Sequence, residues 1–171
     1  ARSVTGGFSQ LDAGMTDEDC RSHRIPTGLE DDLKTIIALV PAYKDTDDAH
    51  AEAADSHMFQ SRLAHVHNQI SDMRKALREN DFEEVFEMAE HDSLSLAATT
   101  MTGPEGWVYW KPTTLAVFNR VRKLRDGTYD DDLDPVPVYF STDTGASVYV
   151  NTTAQYAEVV KEAIADTGVR T

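Results

Sequence analysis

The sequence predicts an α+β fold, in which an antiparallel sheet carries helices on one face. Three observations support this class. Residues 33–41, LKTIIALVP, form a strand-sized aliphatic run. Helical periodicity dominates the middle of the chain, from residue 59 to residue 125. Residues 137–150, PVYFSTDTGASVYV, place two strand-like runs around a glycine-containing turn, which is typical of a β-hairpin.

The strand at residues 33–41 is predicted to be buried on both faces apart from Lys34 and Thr35, because the rest of it is aliphatic. Residues 12–32 are polar and acidic and contain a proline and a glycine, which predicts a loop with little core. At the other end, residues 169–171 resemble the start of a further strand.

Four helices are predicted. The strongest spans residues 59–79, and Asp81 is placed to cap a second one, so that the two form a helical hairpin. The other two helices are predicted in the second half of residues 107–125 and at residues 152–166. The apolar residues of the first helix recur at spacings of three and four. They are Phe59, Leu63, Val66, Ile70, Met73 and Leu77.

Asp143 is the carboxylate in the turn of the predicted hairpin. Two interpretations compete. In one, it is a turn residue whose side chain bonds its own backbone, as aspartate commonly does. In the other, it is a base held at the edge of a sheet and facing a pocket. Local sequence favours the first, because aspartate is common in turns and catalytic residues are few.

The composition is strongly acidic, with 30 Asp and Glu against 16 Lys and Arg and a formal net charge of −14. Dispersed carboxylates keep a surface hydrated, which predicts a salt-adapted cytoplasmic protein. Nucleic acids and anionic membranes are excluded as expected partners, because both need a basic patch. We expect no signal peptide and no membrane span. The single Cys20 excludes an intrachain disulfide.

Motifs for metal or phosphate binding are missing from the sequence. His65 and His67 face different sides of a helix, and no histidine belongs to an HExxH pattern. The acidic run at residues 130–132 lacks the glycine and the terminal glutamate of a calcium loop. We therefore predict no metal site in this chain.

Five segments, spread through nearly the whole chain, resemble a known family in that family's own order. They are ARS with GGF in residues 1–8, the strand at 33–40, NDF at 80–82 followed by DS at 92–93, Tyr109 with the helix after it, and YFSTDTG at 139–145. Together they resemble the mevalonate diphosphate decarboxylase branch of the GHMP kinase superfamily.

This resemblance implies a fold and a domain division. Residues 1–32 would be the tail of the nucleotide-binding N-terminal domain and a linker, and residues 33–171 a GHMP kinase C-terminal domain with a ferredoxin-like fold. Relatives are about twice as long, and their glycine-rich ATP loop precedes the segment that matches Arg2. The resemblance thus implies a piece of an enzyme that is inactive alone, with ATP and Mg²⁺ bound mainly by the missing N-terminal part.

The activity implied is phosphorylation of the 3-hydroxyl of a phosphorylated mevalonate by ATP, followed by loss of phosphate and carbon dioxide to leave an isopentenyl ester. The family's catalytic aspartate falls on Asp143 and its active-site arginine on Arg2. Asp143 would accept or orient the hydroxyl proton. Arg2 presents a planar fork that can hold a carboxylate or phosphate. Thr46, His50 and Gly145 are the expected substrate-binding residues.

One departure from the family bears on the substrate. Relatives carry small hydroxyl residues near the diphosphate, whereas residues 45–50 here read DTDDAH and are expected to form a loop. Carboxylates there should weaken binding of a terminal phosphate. This favours mevalonate 5-phosphate over the 5-diphosphate.

Two alternatives stay open. One is a mevalonate-type 3-kinase that stops before decarboxylation, and the other is a non-catalytic α+β module for ligand binding or dimerisation. A decarboxylase needs Asp143, Arg2 and an upstream glycine-rich loop, whereas a module needs none of them. Relatives are often dimers, so the resemblance also allows a homodimer.

Overall fold

A computed structural model describes the chain except for residues 1–4, 13, 15, 17, 18 and 42–45 and the side chains of residues 46–49. Its elements run in the order strand, strand, helix, strand, four helices, two strands and a final helix. The predicted α+β class with an antiparallel sheet is confirmed.

The first elements correct the prediction of a loop over residues 12–32. Strand β1 (Ser9–Asp12) pairs antiparallel with β2 (Arg21–Arg24), and helix α1 spans Leu29–Asp32. Leu29 is buried. The sequence of β2, RSHR, has no apolar alternation. Its pairing with β1 therefore left no sign in the hydrophobic pattern.

Over the residues that the structure describes, the main sheet has three antiparallel strands in the order β3–β5–β4. Strand β3 spans Leu33–Ala38, β4 spans Val138–Ser141 and β5 spans Val148–Thr153. Strands β4 and β5 form the predicted hairpin. Beyond β3, Leu39 pairs with Arg170 in an isolated bridge, which is all of the predicted terminal strand that forms.

Strand β3 is not buried on both faces as predicted. Ile37 is 44% exposed and Leu39 is 47% exposed, whereas Ala38 and Val40 are buried. An antiparallel sheet with one packed face alternates in this way. The aliphatic composition of the strand concealed the alternation.

In the described part of the chain six α-helices lie between or after these strands, and α3 and α4 form the predicted helical hairpin. The helices after α1 are α2 (Thr46–Asp55), α3 (Phe59–Glu79), α4 (Phe82–Met101), α5 (Pro112–Arg125) and α6 (Ala157–Ala165). Asp81 caps α4 through a hydrogen bond from the backbone nitrogen of Glu84, as predicted. The last helix begins later than predicted, because Thr152 and Thr153 complete β5.

One face of the main sheet packs on α5 and α6 and forms the larger core. The rings of Phe118 in α5 and Phe140 in β4 stack with their centroids 4.0 Å apart. A second cluster joins α1, α3 and α4, and Tyr139 of β4 belongs to it. Over the described residues, every helix is too short or too polar to cross a lipid bilayer.

Candidate functional site

The site forms around residues 142–147, which connect β4 to β5. Asp143 lies at the end of β4 and is exposed. In the described part of the chain, its carboxylate forms no hydrogen bond or ion pair. It does not bond its own turn, so the interpretation of Asp143 as a self-capping turn residue has no hydrogen bond to support it.

Ser93 of α4 holds the residue before Asp143. The Oγ of Ser93 accepts a hydrogen bond from the backbone nitrogen of Thr142 at 3.0 Å. It lies 3.4 Å from the carbonyl oxygen of Thr142 and 2.8 Å from that of Ala89, to either of which it can donate. Ser93 is buried, so these bonds are protected from water. The backbone immediately before Asp143 is therefore held against α4.

The other end of the connection is anchored as well. The Oγ1 of Thr114 donates to the carbonyl oxygen of Ala146 at 2.9 Å. The Oγ of Ser147 accepts from the backbone nitrogen of Val40 at 3.1 Å. Gly145 lies between the anchored residues Thr142 and Ala146 and is exposed. The bonds on both sides fix the loop that carries Asp143.

Glu90, one turn before Ser93 on α4, bonds the same strand. Its Oε2 accepts from the backbone nitrogen of Phe140 at 3.2 Å. Its two carboxylate oxygens lie 2.9 and 3.1 Å from the guanidinium nitrogens of Arg125. Burial by itself would lower the pKa of Arg125, but the hydrogen bonds and charge of Glu90, together with smaller charge effects of other neighbours, outweigh it and raise that pKa above its ordinary value. Arg125 stays charged and paired.

Tyr109 is a buried phenol near Asp143. Its hydroxyl shares a hydrogen bond with the Oγ1 of Thr100 in α4. Burial raises the pKa of Tyr109, the bond to Thr100 opposes the rise, and the charge of Asp143 adds to it. The phenol therefore stays protonated. Thr142 Oγ1 is also buried and has no hydrogen-bond partner among the described residues.

The structure gathers only some of the predicted site residues. Asp143 and Gly145 share one loop. His50 is exposed on α2, a helix that contacts α4, and no hydrogen bond between described residues joins it to Asp143. Thr46 begins α2, but its side chain lies outside the description. Arg2 lies outside the described residues.

The expected loop over residues 45–50 is helical from Thr46 onward. Acidic residues are favourable in the first turn of a helix, where the backbone N–H groups carry partial positive charge. That preference explains why a run of aspartates, which looks like a loop in the sequence, begins a helix here.

Sequence reasoning missed Glu90, Ser93 and Thr100 as site residues. A signal was present, because these residues lie at spacings of three and seven on one face of α4 and that face is buried. Polar residues on the buried face of a helix must find hydrogen-bond partners. Their partners are β4, the connection after it and Tyr109.

No group of three or more His, Cys, Asp or Glu side chains that could hold a metal ion occurs among the described residues. We therefore assign no metal ligand to the part of the chain that the structure describes.

Comparison with known proteins finds a relative that matches the whole of this chain. Along all 171 residues the chain is 67% identical to the phosphomevalonate decarboxylase of Haloferax volcanii, of which it covers 51%. The chain thus spans about half the length of this curated relative.

Solved structures share the fold. The mevalonate diphosphate decarboxylase from Enterococcus faecalis matches with a TM-score of 0.84 and 26% identity, over 96% of this chain and 49% of that one. A complex described as MDDEF with MVAPP, AMPPCP and magnesium matches with a TM-score of 0.85 and 27% identity, over 96% and 50%. The Staphylococcus aureus enzyme matches with a TM-score of 0.86 and 20% identity, over 96% of this chain and 49% of that one. At this identity the likeness concerns the fold alone.

A family match covers most of the chain. Residues 33–167 match the family described as mevalonate 5-diphosphate decarboxylase C-terminal domain. The chain belongs to this family.

Proposed function

We propose that this chain is the C-terminal part of an ATP-dependent decarboxylase that converts mevalonate 5-phosphate to an isopentenyl ester. The observation that carries the proposal is the exposed carboxylate of Asp143 on a loop anchored at both ends, in a chain 67% identical to a phosphomevalonate decarboxylase. The N-terminal part would supply the rest of the site, since relatives are about twice as long.

Asp143 would accept or orient the proton of the substrate's 3-hydroxyl while that oxygen attacks the terminal phosphoryl group of ATP. Its exposure supports this role, because a substrate can reach it. The anchors at Ser93 and Ala146 support it too, because general acid–base catalysis depends on a fixed distance between the base and the proton.

A cation is needed beside Asp143, because the substrate brings its own carboxylate and phosphate. No described cation bonds to Asp143. We propose that Arg2 fills this place and holds the substrate carboxylate or phosphate through its planar fork. Departure of carbon dioxide and of the 3-phosphate would follow.

The substrate would be the monophosphate. The name of the Haloferax volcanii relative supports this choice. The acidic residues at the start of α2 support it independently, because they would repel a second phosphate. Thr46, His50 and Gly145 remain the proposed substrate-binding residues.

ATP would be the phosphoryl donor, with Mg²⁺ neutralising its phosphates. The complex of a structural neighbour with AMPPCP and magnesium supports both for the family. The described residues provide no cluster of metal ligands, so we propose that residues outside this chain bind the metal and most of the nucleotide.

The domain division and the cellular setting are further parts of the proposal. The family match from residue 33 onward supports a boundary near residue 32. The net charge of −14 and the Haloferax volcanii relative support function in a salt-rich cytoplasm. A homodimer stays a prediction, which sedimentation of the whole protein in high salt would test.

A parallel assay of the intact protein in high salt tests the function. ATP is supplied with mevalonate 5-phosphate or the 5-diphosphate, and ADP and carbon dioxide are followed together. We expect equal release of both products and a preference for the monophosphate. ADP without carbon dioxide would reassign the protein as a 3-kinase, and neither product would make the chain a binding module. The 171-residue chain alone is expected to release no ADP.

A further inference from the structure

The outer edge of β4 bonds to side chains. Strand β5 pairs with one edge of β4, and α4 lies along the other. The backbone nitrogen of Phe140 donates to Glu90, and that of Thr142 donates to Ser93. Two side chains of α4, three residues apart, thus take the place of a neighbouring strand immediately before Asp143.

Arg125 fixes the carboxylate of Glu90 in this position. It forms a two-pronged ion pair with Glu90. Its Nη1 also donates to the carbonyl oxygen of Val138 at 3.3 Å, and its guanidinium lies 4.7 Å from the centre of the Tyr139 ring. The strand is therefore held by a charged pair whose two members contact three consecutive residues of β4, two through hydrogen bonds and Tyr139 through its ring.

A purely structural role explains this pair poorly. Glu90 is 5% exposed, and a buried ion pair seldom stabilises a fold more than apolar residues of the same volume would. What such a pair does provide is a fixed geometry, since the planar fork and the carboxylate meet in one orientation. The pair bonds Phe140, three residues before Asp143, where a fixed geometry affects the proposed base.

We propose that Glu90, oriented by Arg125, is a positioning residue for Asp143. This inference rests on the proposed function. Glu90 touches no reacting atom. Its hydrogen bond to Phe140 fixes the position of β4 relative to α4, and the hydrogen bond of Ser93 to Thr142 does the same two residues later. Displacing the strand would move the carboxylate of Asp143 away from the substrate's hydroxyl.

The test compares Glu90→Gln with Arg62→Gln in the intact protein. Glutamine keeps the shape of Glu90, but its amide nitrogen cannot accept a hydrogen bond. One of the groups that donate to Glu90, either Arg125 or the backbone nitrogen of Phe140, therefore loses its acceptor. Arg62 is the matched control, because it forms a two-pronged pair with Asp92 of the same helix, at 2.9 and 3.1 Å. That pair joins α4 to α3 and makes no bond to β4. Activity is measured where both variants are fully folded.

We expect Glu90→Gln to lower kcat about 10- to 100-fold, because a displacement on the order of 1 Å costs that much. KM for the phosphorylated mevalonate should change less than about threefold, since the binding groups are untouched. Arg62→Gln should leave kcat within about twofold. Equal kcat in the two variants would overturn the proposal.

Two further measurements keep the proposal testable if Glu90→Gln does not fold or if the intact protein does not have the proposed activity. Arg125→Lys keeps the charge and loses the fork, so its kcat should fall in the same way, and an unchanged kcat would overturn the proposal. The amide resonances of Phe140, Thr142 and Asp143 should shift in Glu90→Gln and not in Arg62→Gln. This readout needs no activity, and unshifted resonances would contradict the inference even if the intact protein proved inactive.

Discussion

The carboxylate of Asp143 lies near enough to the buried phenol of Tyr109 for its charge to raise the pKa of that phenol. The two residues come from different parts of the chain, the loop after β4 and the segment before α5. The charge of Asp143 therefore acts on a neutral hydroxyl that Thr100 already holds.

Removing the charge of Asp143 should lower the pKa of Tyr109. In Asp143→Asn the phenol keeps the larger effect of burial, so its pKa falls but stays above the ordinary value of about 10. A raised pKa stabilises the fold below pH 10, and this contribution is lost as the pH rises through the folded value. In the variant this stability contribution should be smaller, and its loss should be complete at a lower pH than in the wild type.

The measurement is an NMR titration of ring-labelled tyrosine at the lowest salt at which the protein stays folded. Tyr139 is the internal control, because burial and the nearby charges of Glu83, Arg125, Glu87 and Glu90 set its raised pKa, without Asp143. If Asp143→Asn shifted the pKa values of Tyr109 and Tyr139 equally, the shift of Tyr109 could not be assigned to the charge of Asp143.

Ser93→Ala should destabilise the protein by about 1–3 kcal/mol, because it leaves the backbone nitrogen of Thr142 without its acceptor. Denaturant unfolding measures the change in free energy. Ser95→Ala is the matched control on the same helix, since the Ser95 side chain forms no hydrogen bond among the described residues. That variant should stay within about 0.5 kcal/mol of wild type. Equal losses would mean that the Thr142 bond contributes nothing measurable.

Gly145→Ala should fold as well as the wild type. The φ angle of Gly145 is ordinary, and an added Cβ would meet no atom within 4 Å. Gly127→Ala is the contrast, because Gly127 has a φ of +67° and its added Cβ would lie 3.0 Å from Pro135. It should lose more than about 1 kcal/mol. If substrate passes close to Gly145 as proposed, Gly145→Ala should raise KM in the intact protein without changing its melting temperature.

Asp143→Asn should lower carbon dioxide release by the intact protein about 10²- to 10⁴-fold, the usual range for a general acid–base group. Near neutral pH, where Tyr109 is protonated in both proteins, its thermal unfolding should match that of wild type, because the carboxylate forms no hydrogen bond in the described structure. Asp131→Asn removes the same charge from an exposed turn and should leave both quantities unchanged. Full activity in Asp143→Asn would remove Asp143 from the mechanism.

Much of the fold could be predicted because local patterns carry it. Helix α3 begins and ends at the predicted residues, since its apolar spacing and the chain reversal at Asn80 are local features. The hairpin around Asp143 was found for the same reason. The pairing of β1 with β2 could not be found, because its residues are polar and the partner strand is what gives them structure.

The sequence by itself determined the helical hairpin, the β-hairpin and the position of Asp143 in its turn, because hydrophobic periodicity and turn chemistry act between near neighbours. Only the tertiary structure decided which side chains hold that turn. Glu90 and Phe140 are 50 residues apart, and Ser93 and Thr142 are 49. Periodicity reveals which face of a helix is buried but not which strand it meets, so these contacts exist only once α4 has packed along β4.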